Sequence, residues 1–183
     1  MLFLDPVHYL NRETEKAEYD LHQNSPSDLN YRHFLSQLVD PLIRRLKLGD
    51  QGLDFGSGPG PTLNVILAEA GFSVNIYDLF YAPNQNVLEQ RYDFITATEV
   101  VEHLQNPLAI LNKLWAILEP NGNLAIMTQC WNLQTNILNW KYKDDPTHVV
   151  FFSTLTFEWL AKYWNAQVDF ISRNVIFFKK IAS

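Results

Sequence analysis

The stretch that decides the fold is LDFGSGPGPTLNVILAEAGFSVNIYDLF, residues 53–80. A short apolar run leads into three glycines at alternate positions, and a second apolar run ends at Asp78. Glycine permits the positive φ that a sharp turn needs, and it leaves bare backbone against which a ligand can lie. The stretch therefore predicts a strand, a ligand-binding turn, a helix over residues 62–70 and a second strand over residues 73–77.

The position of Asp78 indicates the kind of ligand. An acid at the end of the second strand is placed to accept hydrogen bonds from two ribose hydroxyls. A dinucleotide-binding loop spaces its third glycine one residue later than this loop does, and Pro61 has no N–H to offer a pyrophosphate. A nucleoside cofactor without a pyrophosphate is therefore favoured, and NAD is the less favoured alternative.

The glycine stretch resembles motif I of the class I S-adenosylmethionine-dependent methyltransferases, in which an acidic residue precedes the glycines. The resemblance continues in YDFITATEVVEHLQNP, residues 92–107, and in LEPNGNLAIMT, residues 118–128. DDPTHVVFFSTLTFEWLA, residues 144–161, is similar to a bacterial subgroup of these enzymes whose substrates are unassigned. Some members of that subgroup carry a zinc-ribbon-like segment upstream, so this chain is expected to be a compact version or to have an unusual start.

The resemblance implies that S-adenosylmethionine is the cofactor and that particular residues bind it. The loop would lie against the methionine part and the acid would bind the ribose. Two apolar residues after the acid are expected to pack on the adenine, with ordinary core packing as the alternative. The expected cofactor-binding residues are Asp54, Gly56, Gly58, Gly60, Asp78, Leu79 and Phe80.

Strands alternate with helices through the middle of the chain, which predicts a mostly parallel sheet covered on both faces. With the resemblance, this is an α/β fold: a three-layer α/β/α Rossmann-like sandwich, with residues 168–171 and 175–178 as an antiparallel C-terminal hairpin. The chain is too short between Asp78 and Asp93 for the helix and strand that most members insert there. Residues 1–48 are expected to form an N-terminal helical lid or cap of the same domain, and residues 49–183 the cofactor-binding methyltransferase domain.

The run EVVEH, residues 99–103, predicts a second functional site. Its spacings place Glu99, Glu102 and His103 on one side of a helical turn, where they suit a divalent cation such as Mg²⁺ or Zn²⁺ with His148 as a further ligand. The run resembles ubiquinone-pathway O-methyltransferases and small-RNA 2′-hydroxyl methyltransferases, in which such a run holds a metal. Two alternatives remain open: His103 or His148 acts as a general base without metal, or these residues only cap a short helix and bond locally.

Composition excludes several classes of protein. The 183 residues suit one domain, and 47% hydrophobic content is typical of a globular chain. A net charge of -6 disfavours nucleic-acid partners. No apolar run approaches the ~20 residues of a membrane helix. The first ten residues, MLFLDPVHYL, lack the basic region of a secretory signal, so none is expected there. The single cysteine, Cys130, excludes an internal disulfide and fits a reducing compartment, so a cytoplasmic location is expected.

The combined prediction is an S-adenosylmethionine-dependent methyltransferase that methylates an oxygen of a small molecule, such as a phenol or quinol, by direct displacement. In such chemistry the protein's main contribution is to hold the acceptor in line with the methyl group. A non-catalytic or degenerate binding module of the same fold is the alternative from another class. RNA 2′-O-methylation is less favoured because the chain is acidic, and the oligomeric state is left open.

Overall fold

A computed structural model describes residues 1–182. The strands are β1 Leu2–Phe3, β2 Gln51–Phe55, β3 Ser73–Tyr77, β4 Tyr92–Thr98, β5 Leu118–Met127, β6 Val150–Phe151, β7 Ala166–Phe170 and β8 Val175–Lys180. The helices are α1 Arg12–Tyr19, α2 Leu29–Ile43, α3 Leu63–Glu69, α4 Pro107–Ile117 and α5 Thr154–Trp164. In residues 1–182, no helix is both long and apolar enough to span a membrane.

Six strands form one mixed sheet in the order β3-β2-β4-β5-β8-β7. The first four are parallel, whereas β8 runs antiparallel to β5, and β7 runs antiparallel to β8. The predicted, mostly parallel sheet with an antiparallel C-terminal hairpin is therefore confirmed. β1 and β6 form a separate two-stranded antiparallel ribbon.

Helices cover both faces of the sheet, which confirms the three-layer sandwich. On one face α2 and α3 bury an apolar stripe that includes Leu38 and Leu67 against Phe94 and Phe177. On the other face α4 and α5 pack over the central strands. Helices on both faces bury the parallel strands, so their carboxyl ends are where a ligand can reach the sheet.

The segment between β3 and β4 is short, as predicted. Residues 78–91 contain one 3₁₀ helix, Gln85–Glu89, and no strand of the main sheet, so β3 is the sheet edge. Val87 is buried there, and its carbonyl accepts a hydrogen bond of 2.7 Å from the Tyr92 hydroxyl. The segment is thus fixed to the sheet without a further strand.

The N-terminal residues have two different positions. α2 belongs to a layer of the sandwich, with Leu35, Leu38 and Leu42 buried. α1 lies over the carboxyl ends of the strands, where the Tyr19 ring lies 5.8 Å from that of Phe80, between centroids. A lid made by residues 1–48, and a boundary after residue 48, stay predictions.

Candidate active site

A cavity of about 650 Å³ opens at the carboxyl ends of β2, β3 and β4. The glycine loop and residues 77–81 form one side, and the turn after β4 together with residues 141–148 forms the other. α1 covers part of it through Glu15 and Tyr19. The volume is within the range of roughly 300–1,000 Å³ that small-molecule and cofactor sites occupy.

Different structural requirements explain why the first two positions of the loop are glycine. Both adopt positive φ, +78° at Gly56 and +67° at Gly58. A Cβ on Gly56 would lie 2.3 Å from a Val100 methyl carbon, so packing alone excludes a side chain there. A Cβ on Gly58 would meet no atom of residues 1–182 within 4 Å. Gly58 therefore presents bare backbone to the cavity, whereas Gly56 joins the loop to the turn after β4.

The third glycine faces the N-terminal segment. Gly60 does not line the cavity, and a Cβ on it would lie 2.0 Å from the carbonyl oxygen of Asn24. Its small size lets the chain between α1 and α2 cross the loop at close range. Close packing against Asn24 thus explains why residue 60 is glycine. Its expected contact with cofactor stays a prediction.

Asp78 connects the two halves of the cofactor side. One carboxylate oxygen accepts a hydrogen bond of 2.9 Å from the Gly58 amide. The other accepts bonds of 2.8 and 3.0 Å from the amides of Phe80 and Tyr81. A carboxylate oxygen can accept about two hydrogen bonds, so the oxygen that binds the Gly58 amide has capacity for one more, and Asp78 lines the cavity. The residue can therefore hold the loop and accept a hydrogen bond from a ligand hydroxyl at the same time.

Asp54 lies behind the glycine loop and does not line the cavity. It is buried, and it accepts a hydrogen bond of 2.8 Å from the Thr96 hydroxyl. Burial raises the pKa of Asp54 to about 6, against the lowering effect of that hydrogen bond, and the Asp78 charge adds to the rise. The structure gives Asp54 a supporting position between β2 and β4, and direct contact with cofactor stays a prediction.

Leu79 and Phe80 both line the cavity, as expected for residues that pack on a flat ring. Leu79 is half exposed. The Phe80 ring lies against Tyr19, and the Arg12 guanidinium lies 5.4 Å from its centroid. They offer apolar surface beside the Asp78 carboxylate, where the base of a nucleoside would lie if its ribose bound Asp78.

Two hydroxyls of the cavity wall have no hydrogen-bond partner among residues 1–182. They are the Ser57 hydroxyl in the glycine loop and the Thr98 hydroxyl at the end of β4, and both atoms are buried. Buried polar atoms without a partner are rare in folded proteins. Together with the bare backbone at Gly58, they fit a polar ligand that fills the cofactor side.

The acids of the EVVEH run lie side by side. Glu99 adopts a φ of +50° directly after β4, and Glu102 lies in the 3₁₀ turn Val101–His103. The Tyr142 hydroxyl donates to Glu102 Oε1 and lies 3.3 Å from Glu99 Oε2. The Thr128 hydroxyl donates to Glu102 Oε2 at 3.0 Å. Burial raises the pKa of both acids, and the charge of Glu102 further raises that of Glu99.

The two histidines lie next to these acids and are held in the same way. His103 Nδ1 lies 3.1 Å from the Thr147 carbonyl, and His148 Nδ1 lies 2.6 Å from the Tyr142 carbonyl. A carbonyl can only accept, so each Nδ1 carries the hydrogen and each Nε2 keeps a lone pair. Burial lowers the pKa of both imidazoles, which favours the neutral form. Their rings lie 4.8 Å apart between centroids, and both line the cavity.

The structure brings together most of the expected metal ligands. Glu102, His103 and His148 each offer a ligand atom, and these atoms lie within 4.8 Å of one another. Glu99 lies outside that group and reaches it through the shared Tyr142 hydroxyl. Both oxygens of Glu102 already accept hydrogen bonds from Tyr142 and Thr128. The set is thus a candidate cation site in which the Tyr142 and Thr128 hydroxyls already bond the carboxylate.

Sequence reasoning missed Tyr142 and Thr128. Thr128 follows β5, and Tyr142 lies in residues 131–150, a segment without a clean hydrophobic period. The pairing of either residue with Glu102 depends on how the chain folds back after β5. The one sequence signal available was the missing hydrophobic period over residues 131–150, which indicates a functional loop or a lid but no partner.

Comparison with curated proteins finds two ubiquinone biosynthesis O-methyltransferases, from Pseudomonas savastanoi pv. phaseolicola and Pseudomonas syringae pv. syringae. Each is 23% identical over 77 residues, which are 42% of this chain and 33% of each enzyme. The match therefore spans about a third of the length of these relatives.

Solved structures share the fold. Magnesium protoporphyrin IX methyltransferase from Synechocystis PCC 6803, with bound SAH, matches with a TM-score of 0.61 at 12% identity over 92% of this chain and 94% of that chain. A SAM-dependent methyltransferase from Archaeoglobus fulgidus matches with a TM-score of 0.61 at 15% identity, over 84% of this chain and all of that one. The sequence pattern of the methyltransferase domain family matches residues 28–169, most of the chain. The chain therefore belongs to the methyltransferase domain family.

Proposed function

We propose that the protein is an S-adenosylmethionine-dependent methyltransferase that methylates a hydroxyl oxygen of a small molecule. The observation that carries the proposal is one cavity with two chemically distinct sides. One side has the Asp78-bound glycine loop, and the other has the neutral imidazoles of His103 and His148. Family membership and the O-methyltransferase relatives support it.

The cofactor side has groups for each part of the cofactor. Asp78 would accept a hydrogen bond from the ribose, Leu79 and Phe80 would pack against the adenine, and Ser57 and Thr98 would gain the partners that they lack. Gly58 would let the methionine part lie on bare backbone. When bound, S-adenosylmethionine supplies a methyl group on a sulfonium, which an oxygen nucleophile can attack.

His148 is the preferred general base and His103 the second choice. The Tyr142 carbonyl holds the Nδ1–H of His148, so Nε2 is free to take a proton from an acceptor hydroxyl. Asp145 Oδ2 lies 3.9 Å from this Nε2, near enough to stabilise the imidazolium that results. The proton then leaves through the open side of the cavity to water.

The walls of this side favour a small aromatic acceptor. Tyr19 and Tyr142 line it, and the carboxylates of Glu15 and Asp145 give it negative charge. Aromatic rings pack well against the flat ring of a phenol or quinol. The carboxylates and the net charge of -6 would repel a phosphate backbone, so nucleic acid is not the proposed partner. The buried Cys130 thiol fits a proposed cytoplasmic location.

A divalent cation is the second candidate for activating the acceptor. The convergence of Glu102, His103 and His148 within 4.8 Å favours it. Two imidazoles and a carboxylate are ligands that suit Zn²⁺ better than Mg²⁺. A cation there would be held by the histidines and Glu102 and would lower the pKa of an acceptor hydroxyl, so that the proton could pass to water without a histidine base.

Transfer of a radiolabelled methyl group from S-adenosylmethionine to a panel of phenols and quinols, with and without a chelator, tests the proposal. We expect His148→Gln to lower kcat by about 10²–10⁴-fold, the usual effect of removing a general base. S-adenosylhomocysteine affinity should stay within twofold, and His33→Gln, an exposed position on α2, should change neither quantity. Cofactor binding without transfer to any acceptor would instead favour the binding-module alternative. Unchanged kcat in both His148→Gln and His103→Gln would contradict the role of a histidine base.

A further inference from the structure

The Tyr142 hydroxyl lies at the centre of the acidic cluster. It donates to Glu102 Oε1, lies 3.3 Å from Glu99 Oε2, and lies 3.1 Å from the Thr128 hydroxyl. Thr128 in turn donates to Glu102 Oε2. The two hydroxyls together therefore engage three carboxylate oxygens of the two acids.

The hydroxyls stabilise two buried, adjacent carboxylates, which a cation could also stabilise. Glu102 is fully buried, and Glu99 lies beside it. Two adjacent carboxylates removed from water repel each other, and their burial is strongly unfavourable without a positive or hydrogen-bonding partner. A shared hydroxyl proton relieves part of that cost. A divalent cation would relieve it by direct coordination, and the same carboxylate oxygens cannot serve both partners fully.

We infer that Tyr142 competes with a divalent cation for the two acids, so that its hydroxyl sets the cation affinity of the cluster formed by Glu99, Glu102, His103 and His148. In the wild-type protein the hydroxyl is in place, and the cluster binds cations weakly. Without the hydroxyl, Glu102 and the free Nε2 atoms of both histidines offer three donors of the kind that Zn²⁺ and Co²⁺ prefer, with Glu99 beside them.

The rest of the Tyr142 residue holds the cluster in place by contacts that do not use the hydroxyl. Its ring lies 4.2 Å from that of His148 and 5.3 Å from that of Trp140, between centroids. Its carbonyl accepts the Nδ1–H of His148. Tyr142→Phe keeps the ring and the carbonyl, so this substitution changes the hydroxyl alone.

The inference concerns cation binding and does not require methyl transfer, so it can fail or hold independently of the proposed reaction. The test is titration of Co²⁺ and Zn²⁺, in separate experiments, into wild type and Tyr142→Phe, followed by calorimetry and, for Co²⁺, by visible absorption. We expect Tyr142→Phe to bind Co²⁺ at least 10-fold more tightly than wild type. The double variant Tyr142→Phe/Glu102→Gln should lose that gain, and Tyr163→Phe, at an exposed tyrosine on α5, should behave as wild type.

A second readout is thermal stability. In the presence of a chelator, Tyr142→Phe should melt below wild type, and Zn²⁺ should raise its Tm more than it raises that of wild type. If Tyr142→Phe does not fold, Thr128→Val removes the other hydroxyl that bonds Glu102 and should give a smaller gain in the same direction. Equal cation affinity in wild type and the variants, whether strong or absent in all, would overturn the inference.

Discussion

The two sides of the cavity are built in different ways. On the cofactor side, the glycine loop, β3 and the turn after it come from one run of about thirty residues, and Asp78 holds them together through three backbone amides. On the acceptor side, the parts come from three separate places: the EVVEH turn, Thr128 after β5, and residues 142–148. The first side rests on local backbone geometry, and the second rests on side chains that meet only in the folded chain. Substitutions on the first side should therefore have the larger effects on cofactor binding and folding.

The largest expected effect is on stability at the glycine loop. Gly56→Ala introduces a Cβ that would lie 2.3 Å from Val100 at a φ of +78°. The left-handed conformation and the steric overlap together should lower the free energy of unfolding by about 3 kcal/mol. Gly58→Ala is the matched control, because it has a similar φ but open space, and should cost about 1 kcal/mol. Denaturant unfolding measures both, and equal losses would contradict the different roles of the two glycines.

The next effect is on cofactor affinity. Asp78→Ala removes the acceptor of three backbone amides and the proposed ribose ligand. We expect S-adenosylhomocysteine to bind at least 100-fold more weakly, a difference of about 2.7 kcal/mol. Calorimetry measures it, with Asp40→Ala at an exposed position of α2 as the control. If the affinity for S-adenosylhomocysteine falls by less than threefold, Asp78 does not bind the cofactor as proposed.

A smaller effect concerns pH and Asp54. Because its pKa in the folded protein is about 6, against an ordinary value of 3.8, the folded state holds this proton more tightly than the unfolded state. Asp54 therefore stabilises the fold most at low pH, and its contribution is lost as pH rises from about 4 through 6. Relative to Asp54→Asn, wild type should lose about 1–2 kcal/mol over that window, measured by denaturant unfolding at several pH values. A difference between the two proteins that does not vary with pH would contradict this.

The smallest expected effect on cofactor binding belongs to the acceptor side. Tyr142→Phe should change S-adenosylhomocysteine affinity by less than twofold, since no hydrogen bond of Tyr142 reaches the glycine loop or Asp78. The free energy of unfolding should fall by about 1 kcal/mol, because the hydrogen bonds to the two acids are lost. Calorimetry and denaturant unfolding measure the two quantities. A tenfold loss of cofactor affinity would mean that the two sides are not separate.

The parts of the fold that were predictable are those whose signals are local. Alternating strands and helices predicted the sandwich, and the count of residues between Asp78 and Asp93 predicted the short connection at the sheet edge. Asn106 followed by Pro107 indicates a helix start, and the Asn106 side chain does accept from the Ala109 amide at the start of α4. In each case neighbouring residues determine the structure.

Other features depend on residues far apart in the chain, and sequence patterns cannot predict them. Gly60 lies against Asn24, and Tyr142 bonds Glu102. In both pairs the two residues lie far apart in the chain, and no hydrophobic period of either segment indicates that they meet. The ribbon of β1 with β6 is of the same kind, because it pairs residue 2 with residue 151. The acceptor side is made almost entirely of such contacts. The sequence therefore left three alternatives for it, namely a cation site, a histidine base or local bonding only, whereas it favoured one cofactor for the other side.

The most direct test of the central claim is calorimetric titration of S-adenosylhomocysteine and, separately, NADH into the wild-type protein. The glycine loop, Asp78 and the unpartnered hydroxyls of Ser57 and Thr98 predict saturable one-to-one binding of S-adenosylhomocysteine and no saturable binding of NADH. Binding of NADH, or no binding of S-adenosylhomocysteine at millimolar concentration, would contradict it.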